Sequence, residues 1–241
     1  MSRIDFFGVR SILLVSVAMG MTVLALGQEQ QPLKVLVDQF KASKVFWQQI
    51  EIGKKIVAAH DRSVLPQILP MLSDQDRHRR GNAAYVFAGL GDDRGFETIR
   101  GILTDRSNRP LGQGVVSVGP DSPLDAQIAT DRYYAVHLLG DLKDSRALPI
   151  ILPLLNDKEV NYIVPWSLGE IGEKAAVKPL IQTLDDPNPD MRVLAIYALE
   201  KLHATEALPA IQRLIHDQER IHFDGLIAVS EAAMEAESRL R

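Results

Sequence analysis

The 241-residue chain contains no cysteine. Disulfides, thiolate nucleophiles, iron–sulfur clusters and cysteine-ligated zinc are therefore excluded together. Aromatic residues are scarce, at 6%. There is no basic excess: 27 Lys and Arg stand against 31 Asp and Glu, a net charge of −4. Nothing in that balance drives non-specific nucleic-acid binding, and no nucleic-acid partner is expected. What is present is ordinary for a folded protein, with 46% hydrophobic and 24% charged residues. The length suffices for one or two domains with a buried core.

The first residues read as an address. Arg3 and Arg10 precede an uncharged apolar run over residues 11–26, and Ala25 and Gly27 stand just before the polar Gln28-Glu29-Gln30. A cationic start, an apolar middle and small residues at the cut make 1–27 a secretory signal, with cleavage before Gln28. The run falls short of the ~20 residues that span a bilayer. The expected location is periplasmic or secreted, with no stable membrane insertion after cleavage.

Beyond the leader the chain repeats itself. LPQILPMLSD (65–74), FETIRGILTD (96–105), ALPIILPLLND (147–157), AVKPLIQTLDD (176–186) and ALPAIQRLIHD (207–217) end alike. Their terminal aspartates are spaced 31, 52, 29 and 31 residues apart, the long interval being one period plus an insertion. A second helical pattern precedes each segment after the first. Leu148, Ile151, Leu152 and Leu155 recur at i, i+3, i+4 and i+7, one apolar stripe at the helical period. Neither helix of a pair can hide that stripe alone, so stacked pairs must share a core. With no sustained period-two alternation, the fold is expected to be all-α. Residues 28–61 read as a linker and a degenerate first helix, 62–217 as repeats with an inserted loop at 106–124, and 218–241 as a capping helix.

The motifs LGDLKDSRALPIILPLLND (139–157) and LGEIGEKAAVKPLIQTLDD (168–186) resemble HEAT repeats of the short, phycobilin-lyase-type class. The resemblance implies a right-handed α-α superhelix of about five helix pairs plus the cap. It also implies a ladder between successive units, formed by Arg80, Arg132 and Arg192 with Asp74, Asp105 and Asp186. Asn161 stands where a fourth arginine would and breaks one rung.

Two features point to a contact surface. Tyr85, His137, Trp166 and Tyr197 occupy one register position of the first helix in four repeats, about 160° from its buried closing residue. They are expected to face solvent as a ridge for a protein partner. The 106–124 loop is long, rich in Gly and Pro, and carries Arg106 and Arg109 as anion contacts.

Familiar catalytic signatures are missing. No histidine is followed by glutamate, no Gly-x-Ser-x-Gly occurs, and Gly112-x-Gly114 lacks the context of a phosphate loop. His216 and His222 with Asp217 are the one metal arrangement considered, and neither a metal nor a cofactor is expected. The resulting expectation is a non-enzymatic scaffold that binds another protein in the bacterial envelope or secreted space. The alternatives are a bilin-lyase-like chromophore-attachment factor, implied by the resemblance, and an accessory subunit of an envelope complex that uses the loop.

Overall fold

The computed structural model describes residues 31–107, 124–222 and 225–241. The expected signal at 1–27, Arg109 and most of the 106–124 insertion lie outside the described residues. A first helix, α1 (Leu33–Ala42), falls within residues read as linker. It exists because Leu36, Val37 and Phe40 form one buried stripe at helical spacing.

Paired helices follow. The first member of each pair, helix A, is α2 (Phe46–Ala58), α4 (Arg77–Gly89), α6 (Leu124–Leu142), α8 (Val164–Ile171) or α10 (Pro189–Lys201). The second, helix B, is α3 (Leu65–Ile68), α5 (Asp93–Thr104), α7 (Leu148–Ile151), α9 (Val177–Thr183) or α11 (Leu208–Gln212). A last helix, α12 (Val229–Leu240), covers the end of the stack with Ala232, Ala233, Ala236 and Leu240, while Glu231, Glu235 and Arg239 face out. It is shorter than the capping helix read over 218–241, since the chain runs irregularly before Val229. Among the described residues no strand occurs, only one isolated bridge between Arg220 and Ala228. The architecture is an all-α, HEAT-like solenoid.

Each A helix ends on a residue in the left-handed region: His60, Gly91, Lys143, Gly172 and His203, at φ 52°, 77°, 54°, 81° and 49°. These positions repeat with the spacing of the terminal aspartates. A left-handed residue ends a helix by turning the chain sharply, here toward helix B. Glycine does this without strain, whereas His60, Lys143 and His203 carry a Cβ penalty.

Helices B are broken where proline recurs. Pro66 and Pro70, or Pro149 and Pro153, stand four apart, so the second proline has no N–H for the carbonyl one turn back. The helix then tightens into a 3-10 turn, at Leu69–Ser73 and at Leu152–Asn156. α5 lacks proline and runs unbroken for 12 residues. It lies so close to α4 that a Cβ at Gly95 would come 2.2 Å from the Ala84 carbonyl oxygen.

The core has two parts that meet at α4. Ala83, Val86, Phe87 and Leu90 pack with α1, α2 and α3. Ala84 and Tyr85 belong to the larger seam that runs on to Leu240. The expected stripe of α7 is centred on the fully buried Ile151, with Leu148, Leu152 and Leu155 partly buried beside it.

The ladder forms, with a stagger. Arg80 Nη2 donates to Asp105 at 3.0 Å, Arg132 Nη2 to Asp157 at 2.5 Å, and Arg192 Nη2 lies 3.0 Å from Asp217. Each arginine thus meets the aspartate 25 residues ahead. The same arginines donate to backbone carbonyls of the preceding turn, at Asp74 (3.2 Å), Leu103 (3.0 Å) and Asp186 (2.8 Å). Asp74 and Asp186 therefore enter the ladder through their main chains, and Asp157 and Asp217 are rungs in their place. Every terminal aspartate also accepts the N–H two residues on, which fixes the turn into the next helix A.

Candidate functional site

The four ring residues expected on a solvent ridge are more enclosed than their register position suggests. Tyr85 is only 8% exposed, and His137, Trp166 and Tyr197 are half-buried. The fully exposed ridge is thus corrected. A helices flank one another along the stack, so the side facing away from helix B is only a narrow strip, which large rings cover by lying on the neighbouring helix. The Trp166 and His137 rings stand 4.5 Å apart. A Cβ at Gly140 would come 2.9 Å from the Trp166 ring, so glycine there lets the indole approach α6 closely. Burial pushes the Tyr85 and Tyr197 hydroxyl pKa values up and the His137 imidazole pKa down. Next to these rings Lys54 Nζ lies 3.2 Å from both Glu51 and Asp141. Burial opposes the charge of Lys54, but the two carboxylates outweigh it and hold its pKa above the ordinary lysine value.

The row of rings continues from His137 to residues that were not singled out in the sequence. Tyr134 lies 6.1 Å from His137, 5.1 Å from His78 and 5.0 Å from Phe46, and Phe46 lies 4.5 Å from His78. Around these rings, α2, α4 and α6 enclose a polar seam. The Tyr134 hydroxyl donates to Asn82 Oδ1 at 2.5 Å, and Asn82 Nδ2 donates to the Phe46 carbonyl at 2.8 Å and to Gln49 Oε1 at 2.9 Å. Gln49 Nε2 donates to the Phe40 carbonyl at 2.9 Å. At the N-terminus of α4, Arg77 Nη1 donates to Asp131 at 2.8 Å, with both side chains at most 2% exposed. His78 Nδ1 stands 3.4 Å from the other Asp131 oxygen and neither of its ring nitrogens has a hydrogen-bond partner.

Electrostatically the seam divides. Burial lowers the His78 pKa and raises that of Asp131, so His78 is held neutral. Asp105, nearer the surface, takes hydrogen bonds from Arg77 and Ser107 that overcome its desolvation and hold its carboxyl well below the usual range. Hydrogen bonds through Tyr134, Asn82 and Gln49 join α2, α4 and α6, while the His78 ring nitrogens and one Asp131 oxygen stay without a hydrogen bond. Only tertiary packing brings these groups together. The legible signal was polar Gln49, Asn82 and Asp131 at positions where an aliphatic helix face would be expected.

Arg106 is held at the base of the insertion, with its two terminal nitrogens each 3.1 Å from Glu159, which also pairs with Arg132. Arg109 lies outside the described residues. His222 Nδ1 pairs with Asp190 at 3.0 Å. Among the described residues no group of three metal-ligating side chains forms, and no helix is long and apolar enough to cross a membrane.

Comparison with known proteins extends this picture. The PBS lyase HEAT-like repeat family model matches residues 131–157, from the seam carboxylate Asp131 to the ladder rung Asp157. A stretch of 95 residues is 34% identical to the phycocyanobilin lyase subunit alpha of Picosynechococcus sp., covering 35% of this chain and 35% of that protein. A stretch of 94 residues is 34% identical to the bilin biosynthesis protein PecE of Mastigocladus laminosus, covering 37% of this chain and 35% of that protein. The chain thus spans about a third of the length of these curated relatives. The expectation that it is not an enzyme is corrected by them, since one relative sharing its sequence is a lyase by name. That expectation rested on missing hydrolase and metal motifs, which exclude only those chemistries. The staggered ladder and the paired helices make the chain a HEAT-like α solenoid, in which residues 131–157 match the PBS lyase HEAT-like repeat.

Proposed function

We propose that the chain is a bilin-lyase-like chromophore-handling factor whose stacked repeats seat a protein partner. The observation that carries this reading is the 34% identity to a phycocyanobilin lyase subunit and to a bilin biosynthesis protein. Composition limits the mechanism. A chain without cysteine cannot hold a chromophore through a thioether of its own, so contact with a bilin is non-covalent and any acceptor thiol belongs to the partner. The half-buried rings of His137, Trp166 and Tyr197 offer faces for stacking. Arg109 in the insertion supplies a cation for a carboxylate-bearing ligand or partner, while Arg106 is already paired with Glu159. The test is a visible titration of the full chain with a free linear tetrapyrrole. A shifted band that saturates at one equivalent supports the reading, and an unchanged spectrum at micromolar protein contradicts it.

A second reading rests on residues 1–27, whose cationic and apolar pattern favours export. In it the chain binds a protein partner in the periplasm or secreted space, with the 106–124 loop as contact element. Fractionation of cells expressing the full chain, with mass measurement of the exported form, separates the two. Cleavage before Gln28 supports the second reading, and an intact cytoplasmic chain rejects it.

A further inference from the structure

The ladder has a vacancy. Arg80, Arg132 and Arg192 each reach the aspartate 25 residues ahead. By that rule the partner of Asp186 would be residue 161, which is asparagine. Asn161 is too short to span the gap, and its Oδ1 is buried with no hydrogen-bond partner. The Asp186 carboxylate accepts the Asn188 N–H at 2.8 Å and, among the described residues, has no cationic partner.

A groove of about 240 Å³ opens at this rung, between the helices B of two successive repeats. Its walls include Leu155, Asn156, Gln182, Thr183 and Asp186. Two of these match what a filled rung uses. Arg132 donates to the Leu103 carbonyl, two residues before Asp105, and Leu155 stands two residues before Asp157. Asp186 corresponds to the carboxylates that receive Arg80, Arg132 and Arg192. At the rim Asp185 is paired with Arg213 at 3.4 Å, so the charge open to a ligand is that of Asp186.

We propose that this groove receives an arginine side chain from a protein partner, whose guanidinium completes in trans the rung that Asn161 leaves open. Guanidinium suits the place because it presents parallel N–H donors to a carboxylate and a neighbouring carbonyl at once, as the three arginines of the chain do here. A lysine ammonium, as a point charge, satisfies one acceptor less well. The inference depends on a protein partner and not on bilin chemistry.

The test is an NMR titration of the full chain with N-acetyl-arginine methylamide and, separately, its lysine analogue. The arginine probe is expected to give saturable shifts at the Asn156, Thr183 and Asp186 amides, with a Kd of about 1–10 mM for one side chain. The lysine probe should bind at least about fivefold more weakly. Asp186→Asn should weaken arginine binding about tenfold, and Asn161→Arg should abolish it by filling the rung in cis while raising Tm. No saturable shift at these amides, equal binding of lysine, or undiminished binding to Asp186→Asn would overturn the proposal. The probe carries no chromophore, so these results are independent of the bilin titration.

Discussion

The two sides of the stack bury their helices in different ways. Along the A side, α4 buries ten of the eleven residues from Arg77 to Phe87, all but Arg79, polar and apolar together, and α10 buries nine. Along the B side, α7 fully buries only Ile151, and the 3-10 turn after it buries nothing completely. An A helix lies between other A helices and a B helix, so its polar side chains must find partners inside the protein. A helix B has one covered face, tolerates proline breaks, and leaves a groove. Uniqueness of packing thus resides on the A side, and room for a partner lies on the B side.

The largest break in that comparison comes from Asp131→Ala, which takes the buried acceptor from Arg77 Nη1 and leaves that guanidinium to Asp105 and Ser107 alone. It should cost about 2–4 kcal/mol by denaturant unfolding. A loss under about 1 kcal/mol would mean that Arg77 finds water there. Tyr134→Phe removes one hydroxyl and leaves Asn82 Oδ1 without its donor, an expected loss of about 1–3 kcal/mol with the fold retained by circular dichroism.

Next comes pH. Burial lowers the His78 and His137 pKa values in the folded state, so the unfolded chain binds the proton more readily. Stability from these residues is complete above the ordinary histidine pKa of about 6.5 and is lost as pH falls below it. Asp131, whose pKa is raised by burial, works the other way at lower pH, because its protonation favours the folded state. Unfolding between about pH 7 and 5.5 should therefore show stability falling with acid, and His78→Gln should flatten that slope. An unchanged slope would assign it elsewhere. The smallest effect has the opposite sign. His203→Gly, at φ 49°, relieves a left-handed turn common to the two sides and should stabilise by about 1 kcal/mol or less, after the greater freedom of glycine in the unfolded chain is set against it.

Much of this was legible in the sequence. The period came from aspartates that recur because each one makes the same turn. Asn161 announced the broken rung through the absence of arginine at one register position. The stagger of the ladder was not legible, since arginine side chains reach forward to the next unit and sequence order does not give their direction. The left-handed turns were hidden for a related reason: only Gly91 and Gly172 advertise them, while His60, Lys143 and His203 are held there by the packing on either side. The exposed ridge failed because helical geometry places Tyr85 opposite Phe87 but says nothing of the second A helix lying against it. The polar seam was hardest to see, because Gln49, Asn82, Asp131 and Tyr134 come from three helices and make sense only together.

Amide hydrogen exchange on the full chain tests the contrast between the two sides most directly. Amides of α4, α6 and α8 should open together and last, near the global unfolding free energy, while residues 65–73 and 148–156 exchange through smaller openings. Equal protection on both sides, or faster exchange in α4 and α6 than in those two B segments, would contradict a stack held together by its A helices.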